Sequence, residues 1–332
     1  METLNRKDFE ELKRKIEPIK KLALHDDADG ISSAVLLSYI FNIKRVWSPE
    51  DFGEWPIAPY MFQEKEEIPP DVCVDMMPQN PAWKGLAIDH HPGHPSEDKR
   101  GYQLIWGEVP TAVVIYRVFR DHIPKEQRWK AMVGAVGDGQ PETVPNDIWR
   151  ENPFLLEEAI TSWKKYDSYR LETSQFPLYL RLSSGLNACC KIPEKWYTAY
   201  SVLRNAKSPW DLLSDSTLKT AKDHMKDEEG RILRESHPIQ LRNGIRLWMF
   251  ASETRVERTL AWELWEKDLK TVVAVNTTTR RGSIRGVLAG LVYEHLNQNG
   301  IKASGHLGFG GLRLKPDQTA DDIYKILSAL KL

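Results

Sequence analysis

The sequence has few cysteines, no long apolar run and almost no net charge, and each of these absences excludes a class of protein. Its three cysteines, Cys73, Cys189 and Cys190, form no C-x-x-C pair, and two of them are adjacent. This pattern fits neither a disulfide framework nor a thiolate zinc site. The sequence has no run of about 18 apolar residues, and residues 1–21 lack the apolar centre of a signal peptide. We therefore expect a soluble cytoplasmic protein with reduced cysteines and no membrane partner.

The charge balance excludes a protein that binds nucleic acid through a global positive field. Lys and Arg number 46 and Asp and Glu number 47, so that the formal net charge is −1. A site for a polyanion must therefore be local. The 332 residues are 41% apolar and 28% charged, which is enough apolar surface for a real core. Because a typical domain has about 150 residues, we expect two domains.

Short apolar segments alternate with helical patterns over the first half of the chain, residues 1–151. This alternation predicts an α/β domain with a mostly parallel sheet and helices on both faces. In such sheets the chemistry lies beyond the carboxyl ends of the strands. The predicted strands are residues 20–25, 44–47, 71–75, 85–89 and 102–106, and the predicted helices are residues 31–41, 111–119 and 125–136.

The second half of the chain contains two regions with different predicted structures. Residues 152–236 are rich in Trp, Tyr and Lys and are predicted to form a helical connector. Residues 237–332 are predicted to form a smaller C-terminal α/β domain, in which Asn243-Gly244 marks a hairpin. Two helices of this domain are expected to begin with capping boxes, at Thr254 with Glu257 and at Thr319 with Asp322.

Acidic residues and histidines follow successive predicted elements of the first half. Carboxylates that are brought within a few ångströms repel each other, so a fold that gathers several of them implies a bound cation. Oxygen and imidazole ligands without thiolate suit Mn²⁺ or Mg²⁺, with Zn²⁺ and Fe²⁺ as alternatives, and this number of ligands favours two ions. The residues are His25, Asp27, Asp29, Asp75, Asp89, His90, His91 and Asp138.

These segments resemble the motifs of a known family. The segments 25–30 (His-Asp-Asp-Ala-Asp-Gly), the isolated Asp75, 89–91 (Asp-His-His) and 134–138 (Gly-Ala-Val-Gly-Asp) are similar to the four motifs of the DHH phosphoesterase superfamily. The first and last are most similar to those of its archaeal RecJ-like and nanoRNase-type members. Residues 305–311 resemble the glycine-rich motif of the DHH-associated C-terminal domain, although Ala303 and Ser304 stand where that motif usually has glycines.

The resemblance implies a role for each residue. His25 and Asp27 would hold one divalent ion, Asp29, His90 and Asp138 would hold the other, and Asp75 would bridge them. Mn²⁺ is the favoured metal and Mg²⁺ the alternative. Asp89 would orient a histidine ligand by hydrogen bonding to its ring. His91 would act catalytically, by binding the scissile phosphate or protonating the leaving oxygen; the alternative is a packed histidine.

A local excess of positive charge marks the C-terminal domain. Between residues 271 and 314 there are five basic residues and a single acidic one, Glu294. Arginine forks match phosphate oxygens, and glycines allow backbone N–H groups to approach them. The alternative is an ordinary solvated hairpin, with His306 in a glycine loop. The predicted substrate-binding residues are Arg280, Arg281, Arg285, Ser304, Gly305 and His306.

Three functions remain open. The favoured one is a metal-dependent phosphodiesterase or exonuclease that hydrolyses short single-stranded RNA or DNA to mononucleotides. The second is a phosphatase or phosphodiesterase that acts on a small nucleotide or cyclic dinucleotide. The third is a non-catalytic scaffold in a replication complex, although a catalytic protein could also have a replication or repair partner. The RNA or DNA preference, the direction of digestion and the oligomeric state are left open.

Overall fold

The computed structural model describes residues 20–48, 70–78, 82–157, 177–306 and 308–331. The chain divides into two compact units, Met1–Lys222 and Asp223–Leu332. Residues 158–176 of the predicted connector lie outside the described residues, and the domain bounds proposed from the sequence stay a prediction.

The described strands of the first unit form a five-stranded sheet in which every neighbouring pair is parallel. The spatial order is β2-β1-β3-β4-β5. Strands β3 and β4 are buried over their whole length, which is typical of a parallel sheet with both faces covered. The predicted parallel sheet is confirmed. The strands are β1 (Lys21–Leu24), β2 (Arg45–Trp47), β3 (Val72–Val74), β4 (Leu86–Asp89) and β5 (Gln103–Trp106).

Three helices of the first unit pack against one another, and α1 contacts both of the others. Helix α1 (Ala28–Ile40) begins three residues before its predicted start, because the Asp27 side chain accepts hydrogen bonds from the backbone of Asp29 and Gly30. Helix α2 (Thr111–Phe119) has its predicted bounds. Helix α3 spans only Lys130–Gly137, since residues 125–127 form a separate 3₁₀ turn.

The described part of the remaining first-unit chain is helical. It contains α4 (Asn146–Glu151), α5 (Ser184–Lys191), α6 (Trp196–Asn205), α7 (Pro209–Ser214) and α8 (Ser216–Glu235), the last of which continues into the second unit. Short 3₁₀ segments lie at Glu97–Lys99, Arg120–His122, Lys125–Gln127, Pro141–Thr143, Pro153–Leu156 and Leu178–Arg181.

The second unit contains a six-stranded mixed sheet with the order β10-β11-β9-β8-β7-β6. Only β7 and β8 pair in parallel; the other neighbours are antiparallel. The predicted hairpin is confirmed, and Gly244 at its turn has a φ of 83°, which glycine adopts without strain. The strands are β6 (Ile239–Gln240), β7 (Arg246–Phe250), β8 (Val272–Asn276), β9 (Arg281–Arg285), β10 (Lys302–His306) and β11 (Phe309–Arg313).

The helices of the second unit correct one prediction and confirm another. Helix α9 (Glu257–Asp268) is preceded by Val256 without a side-chain cap, so the capping box predicted at Thr254 is wrong. The Thr254 hydroxyl instead lies 2.9 Å from Nε2 of His224. The predicted box of Thr319 and Asp322 is present at α11 (Ala320–Ala329).

No sequence pattern predicted α10 (Ala289–Gln298) or the pairing of β10 with β11. His306 is the last residue of β10 and not part of a loop. The glycine-rich composition of this segment hides the strands, because glycine is rare in strands and leaves no alternating pattern.

One side of the second sheet faces the core of its unit. Alternate residues of the strands, among them Leu247, Val273, Ile284 and Leu312, pack there with residues of α10 and α11. Their neighbours along each strand therefore point to the opposite face. Within the described ranges, no helix is both long enough and apolar enough to cross a membrane.

Candidate metal centre

The carboxyl ends of the parallel strands bring the predicted metal ligands to one edge of the first sheet. His25 follows β1, Asp75 follows β3, and His90 follows β4. Because these three strands are neighbours and run in the same direction, their ends meet at this edge. Asp138 reaches the same place from the C-terminal end of α3.

Backbone hydrogen bonds fix the ends of these strands relative to one another. The His25 N–H donates to the Val74 carbonyl at 3.2 Å, and the Asp75 N–H donates to the Ile88 carbonyl at 2.9 Å. Asp75 has a φ of 58°, in the left-handed region that Asp and Asn tolerate better than most residues. The chain therefore turns sharply at the residue that carries the central carboxylate.

Asp75 lies between the two histidines. Nδ1 of His25 is 3.3 Å from one carboxylate oxygen of Asp75, and Nε2 of His90 is 3.3 Å from the other. His25 is also 2.8 Å from Asp27, and His90 is 3.1 Å from Asp138. Asp75 has only 1% of its surface exposed, and its two carboxylate oxygens face different histidines.

Three sets of potential ligand atoms each lie within 4.8 Å of one another. Two of them match the sets implied by the sequence, since Asp75 joins His25 and Asp27, and Asp29 joins His90 and Asp138. The third set is Asp75, His90 and His91, which places His91 beside the Asp75 carboxylate. We call the six residues of the first two sets the metal centre: His25, Asp27, Asp29, Asp75, His90 and Asp138.

Asp29 also has a structural role that the sequence did not reveal. Its carboxylate is fully buried and accepts hydrogen bonds from the backbone N–H groups of Thr111 and Ala112, at 2.7 and 2.9 Å. These groups belong to the first turn of α2, where a negative charge is favourable. Gly134 makes this possible, because a Cβ there would lie 2.4 Å from an Asp29 oxygen.

Asp89 orients different histidines from the one expected. Its carboxylate lies 2.8 Å from Nδ1 of His91 and 2.9 Å from Nε2 of His94. It contacts His90 only through the backbone N–H, at 2.8 Å, so the expected contact with the ring of a metal-binding histidine is wrong for His90. Asp89 thus fixes the ring of His91, the predicted catalytic residue.

His94 and Thr111 are the polar neighbours of the site that sequence reasoning missed. The His94 side chain is buried, and its other ring nitrogen lies 3.0 Å from the Tyr102 hydroxyl. The Thr111 hydroxyl donates to Asp75 at 3.1 Å. The only sequence signal for His94 was its position three residues after His91, and Thr111 carried none beyond its place at a helix start.

The electrostatics of the metal centre are those of crowded carboxylates. Burial, together with the charges of Asp75, Asp138 and Asp27, raises the pKa of Asp29 well above its ordinary value. Burial and the charges of Asp75 and Asp27 raise the pKa of Asp138 to about 7. Such repulsion is the arrangement that a bound cation relieves.

The pKa values of two neighbouring histidines are raised as well, which favours the charged form of the imidazole. Burial lowers the pKa of His90, but the hydrogen bond to Asp75 and the charges of Asp75 and Asp138 outweigh it and raise the pKa to about 9. Burial likewise lowers the pKa of His91, and the hydrogen bond to Asp89 raises it by more. The protein therefore supplies strong negative potential throughout the site.

This donor set fits divalent metal ions. It consists of four carboxylates and two imidazoles, and Cys73, in the middle of β3, is not among the grouped ligands. Hard oxygen donors with imidazole suit Mn²⁺ and Mg²⁺. The residues themselves therefore support the expectation of a metal.

The predicted substrate-binding residues of the second unit differ in burial and in their contacts. The Arg280 guanidinium donates to the backbone carbonyls of Lys315 and Gln318. Arg285 is 7% exposed and donates to the Ile284 carbonyl. Gly305 pairs with Gly310 in the sheet. A Cβ added at Gly305 would lie 2.3 Å from the Phe309 carbonyl oxygen.

Strand pairing aligns Arg281 with two further cations. Arg281 pairs with Arg313, and Arg313 pairs with Lys302. Directly paired residues lie on the same face of a sheet, about 4.5 to 5.5 Å apart, so these three residues form a row across β9, β11 and β10. We call Arg281, Arg313 and Lys302 the cationic row. Ser304 and His306 pair with Gly311 and Phe309 further along the same strands.

Comparisons with solved structures decide the fold. RecJ in complex with Mn²⁺ from Thermus thermophilus matches with a TM-score of 0.63 at 14% identity, over 96% of this chain and 53% of that one. The chain has the RecJ fold. An exonuclease RecJ bound to manganese matches with a TM-score of 0.61 at 15% identity, over 98% of this chain and 94% of that one. A DHH domain of a member of the s1p family of ribosomal proteins matches with a TM-score of 0.57 at 11% identity, over 98% of this chain and 90% of that one.

The RecJ fold confirms the predicted fold class. It is also the fold that the DHH resemblance implies. The chain spans about half the length of the Thermus thermophilus RecJ and nearly all of the second RecJ chain. No protein-family model matches the sequence, and no curated protein matches it either.

Proposed function

We propose that this chain is a DHH-superfamily hydrolase of phosphoester bonds that depends on divalent metal ions. The observation that carries the proposal is the convergence of four carboxylates and two histidines at the carboxyl edge of a parallel sheet. The RecJ fold supports it, since two RecJ structures with this fold contain Mn²⁺. The archaeal RecJ-like subtype belongs to the same proposal.

The metal centre is proposed to hold two ions. His25 and Asp27 would hold one, Asp29, His90 and Asp138 the other, and Asp75 both, because each Asp75 oxygen faces a different histidine. Bound divalent ions would activate water and neutralise the charge that develops on the phosphoryl group. Mn²⁺ is the favoured metal, with Mg²⁺ as the alternative.

His91 is proposed to act on the substrate from the edge of the centre. Its side chain is 48% exposed, whereas Asp89 behind it is buried, and their hydrogen bond holds one ring nitrogen. The other nitrogen is then available to contact the scissile phosphate or to donate a proton to the leaving oxygen. Asp89 would be a positioning residue that stabilises the protonated imidazole.

The substrate is proposed to be a short single-stranded oligonucleotide, degraded by an exonuclease reaction to mononucleotides. The cationic row supports a phosphate backbone as ligand, because it places three cations on one face of the sheet, and arginine forks match phosphate oxygens. Arg281 is the best placed of the three predicted arginines, while Arg280, Arg285, Ser304, Gly305 and His306 stay predicted substrate residues. A place in a replication or repair complex also stays a prediction.

The test is hydrolysis of end-labelled RNA and DNA, from dinucleotides to about thirty nucleotides, with Mn²⁺, with Mg²⁺ and with chelator. We expect metal-dependent release of mononucleotides that is fastest on short substrates. Activity that is confined to a small nucleotide or cyclic dinucleotide would favour the second enzyme class. Metal-bound, folded protein without any hydrolysis would favour the non-catalytic scaffold and contradict the proposal.

A further inference from the structure

An aromatic ring on the second sheet covers a buried cation. Phe309 on β11 pairs in register with Arg285 on β9, and the guanidinium carbon lies 5.5 Å from the ring centroid. Arg285 is 7% exposed, whereas Phe309 is 47% exposed. A buried cation therefore lies against the ring, and nearly half of the surface of Phe309 is exposed.

Glycines lie next to Phe309 on the described part of β11 and just before it. Gly308 precedes it, and an added Cβ at Gly308 would meet no atom within 4 Å. A Cβ at Gly311 would meet no atom closer than the Gly282 carbonyl oxygen at 3.7 Å. Glycines thus keep side chains away from two positions near the ring.

Strands β9 and β11 stay joined next to the Phe309–Arg285 pair, because the Gly286 N–H donates to the Gly308 carbonyl at 2.8 Å. Phe309 is one of the large apolar side chains that are exposed among the described residues.

The charges on the same face indicate which ligand this surface fits. The cationic row lies on the same three strands, four residues from Phe309 and Arg285, at a distance of about 13 Å along the strands. An apolar protein partner would gain little from this row. A nucleotide chain offers both a π-face for the ring and phosphates for the row.

We propose that Phe309, supported from below by Arg285, is a stacking platform for one nucleobase of the bound strand. This inference rests on the proposed function and makes it more specific, because recognition then includes a base as well as the phosphates. Arg285 would act through the ring and not on a phosphate. Since every base has a π-face, the platform would tolerate any sequence but would discriminate against an abasic nucleotide.

Equilibrium binding without metal tests the platform. Fluorescent trinucleotides that carry 2-aminopurine at one end would be titrated with the full chain in chelator, beside abasic trinucleotides in competition. The variants are Phe309→Ala and the conservative Phe309→Trp, with Tyr324→Ala as matched control, because Tyr324 is an exposed aromatic residue on α11. Thermal unfolding of each variant verifies that it is folded.

We expect Phe309→Ala to weaken binding of the base-containing ligand by about 10-fold or more, as loss of one stacked base does. Binding of the abasic ligand should be unchanged. Phe309→Trp should restore the affinity and the quenching of 2-aminopurine, and Tyr324→Ala should have no effect.

Three results would overturn the inference. They are an equal loss for both ligands, no loss for either, and a dimer of the wild type that Phe309→Ala dissociates without any change in nucleotide affinity. Hydrolysis with Mn²⁺, measured in parallel, separates this inference from the proposed function. Base-dependent binding without hydrolysis would refute the enzyme and leave the platform standing, whereas hydrolysis that is indifferent to Phe309 would refute the platform alone.

Discussion

The metal centre and the cationic row differ in the charge of their residues and in their place on the sheet. The metal centre gathers carboxylates and histidines that are largely buried at the ends of parallel strands, where each residue is the first to follow its strand or lies in a helix end. The cationic row lies along strands that are mostly antiparallel, and its members Lys302, Arg313 and Arg281 are at least partly exposed. A site at strand ends depends on the order of elements in the chain. A site on a sheet face depends on the register between strands.

The largest effect is expected from removal of the central charge of the metal centre. Asp75→Asn should lower phosphodiester hydrolysis by more than about 100-fold, since changes to groups that merely support metal ligands already cost about 10- to 100-fold. Asn tolerates the left-handed backbone at this position, so the fold should persist. Initial rates with Mn²⁺ and thermal unfolding measure both effects.

The matched control is Asp98→Asn, which removes the same charge from an exposed 3₁₀ segment of the first unit. It should retain full activity. Wild-type rates in a folded Asp75→Asn variant would refute the assignment of the metal centre.

The second change tests how closely the elements approach at the metal centre. Gly134→Ala would place a Cβ 2.4 Å from an Asp29 oxygen and 2.5 Å from the Ala112 Cβ. Such overpacking should lower the free energy of unfolding by about 1 to 3 kcal/mol. The rise in melting temperature on adding Mn²⁺ should also shrink, because Asp29 is displaced.

Gly230→Ala is the control in the second unit, where the Cβ would meet only the Arg234 side chain at 3.3 Å. Because this glycine is inside α8, the substitution should be neutral or should stabilise by up to about 1 kcal/mol. Equal destabilisation by both substitutions would show that the contact with Asp29 is not special.

The third change tests the cationic row. Replacing Arg281 and Arg313 together by Gln should raise KM for oligonucleotides by about 10-fold with little change in kcat, because these contacts bind ground and transition states alike. The logarithm of the binding constant should also fall less steeply with the logarithm of the salt concentration. The slope should decrease by about 0.7 for each lost phosphate contact. Hydrolysis of a small chromogenic phosphodiester should be unchanged.

Arg258→Gln, an exposed change on α9, serves as the control for lost charge. If it alters KM as much as the double variant does, the row is not a specific phosphate site.

The smallest effect concerns a third kind of titratable position, a buried lysine. Lys130 in α3 is fully buried, and its ammonium donates to the Tyr39 hydroxyl at 2.7 Å and the Arg204 carbonyl at 3.1 Å. Burial, with the charge of Arg204, lowers the pKa of Lys130 from 10.5 to about 7. Between these pH values the unfolded chain binds the proton and the folded chain does not, so that stability from this group rises with pH.

Lys130→Met should therefore remove a positive slope of up to about 1.4 kcal/mol per pH unit in the free energy of unfolding above pH 7. Chemical denaturation of wild type and variant at several pH values measures the difference in slope. Lys125→Met, at an exposed lysine, should leave the slope as it is. Parallel curves for wild type and Lys130→Met would contradict the buried neutral amine.

The amino-acid sequence alone was sufficient to predict the parallel sheet and the residues that meet at its edge. Apolar segments of strand length are followed at once by His25, Asp75 and His90, and parallel strands leave only one edge where their ends can meet. The hydrogen-bond partners of the site residues depend instead on how the elements pack. The Asp89 carboxylate contacts His91 and His94, and Asp29 caps a helix that is far away in the sequence.

The arrangement of the second unit depends mainly on its three-dimensional packing. The positive charge excess between residues 271 and 314 was visible in the sequence, but glycines left β10 and β11 without an alternating pattern. Only strand pairing brings Lys302, Arg313 and Arg281 into one row and places Phe309 over Arg285. The physical reason is that register is a property of two strands together, and one residue of slippage moves every side chain to the opposite face.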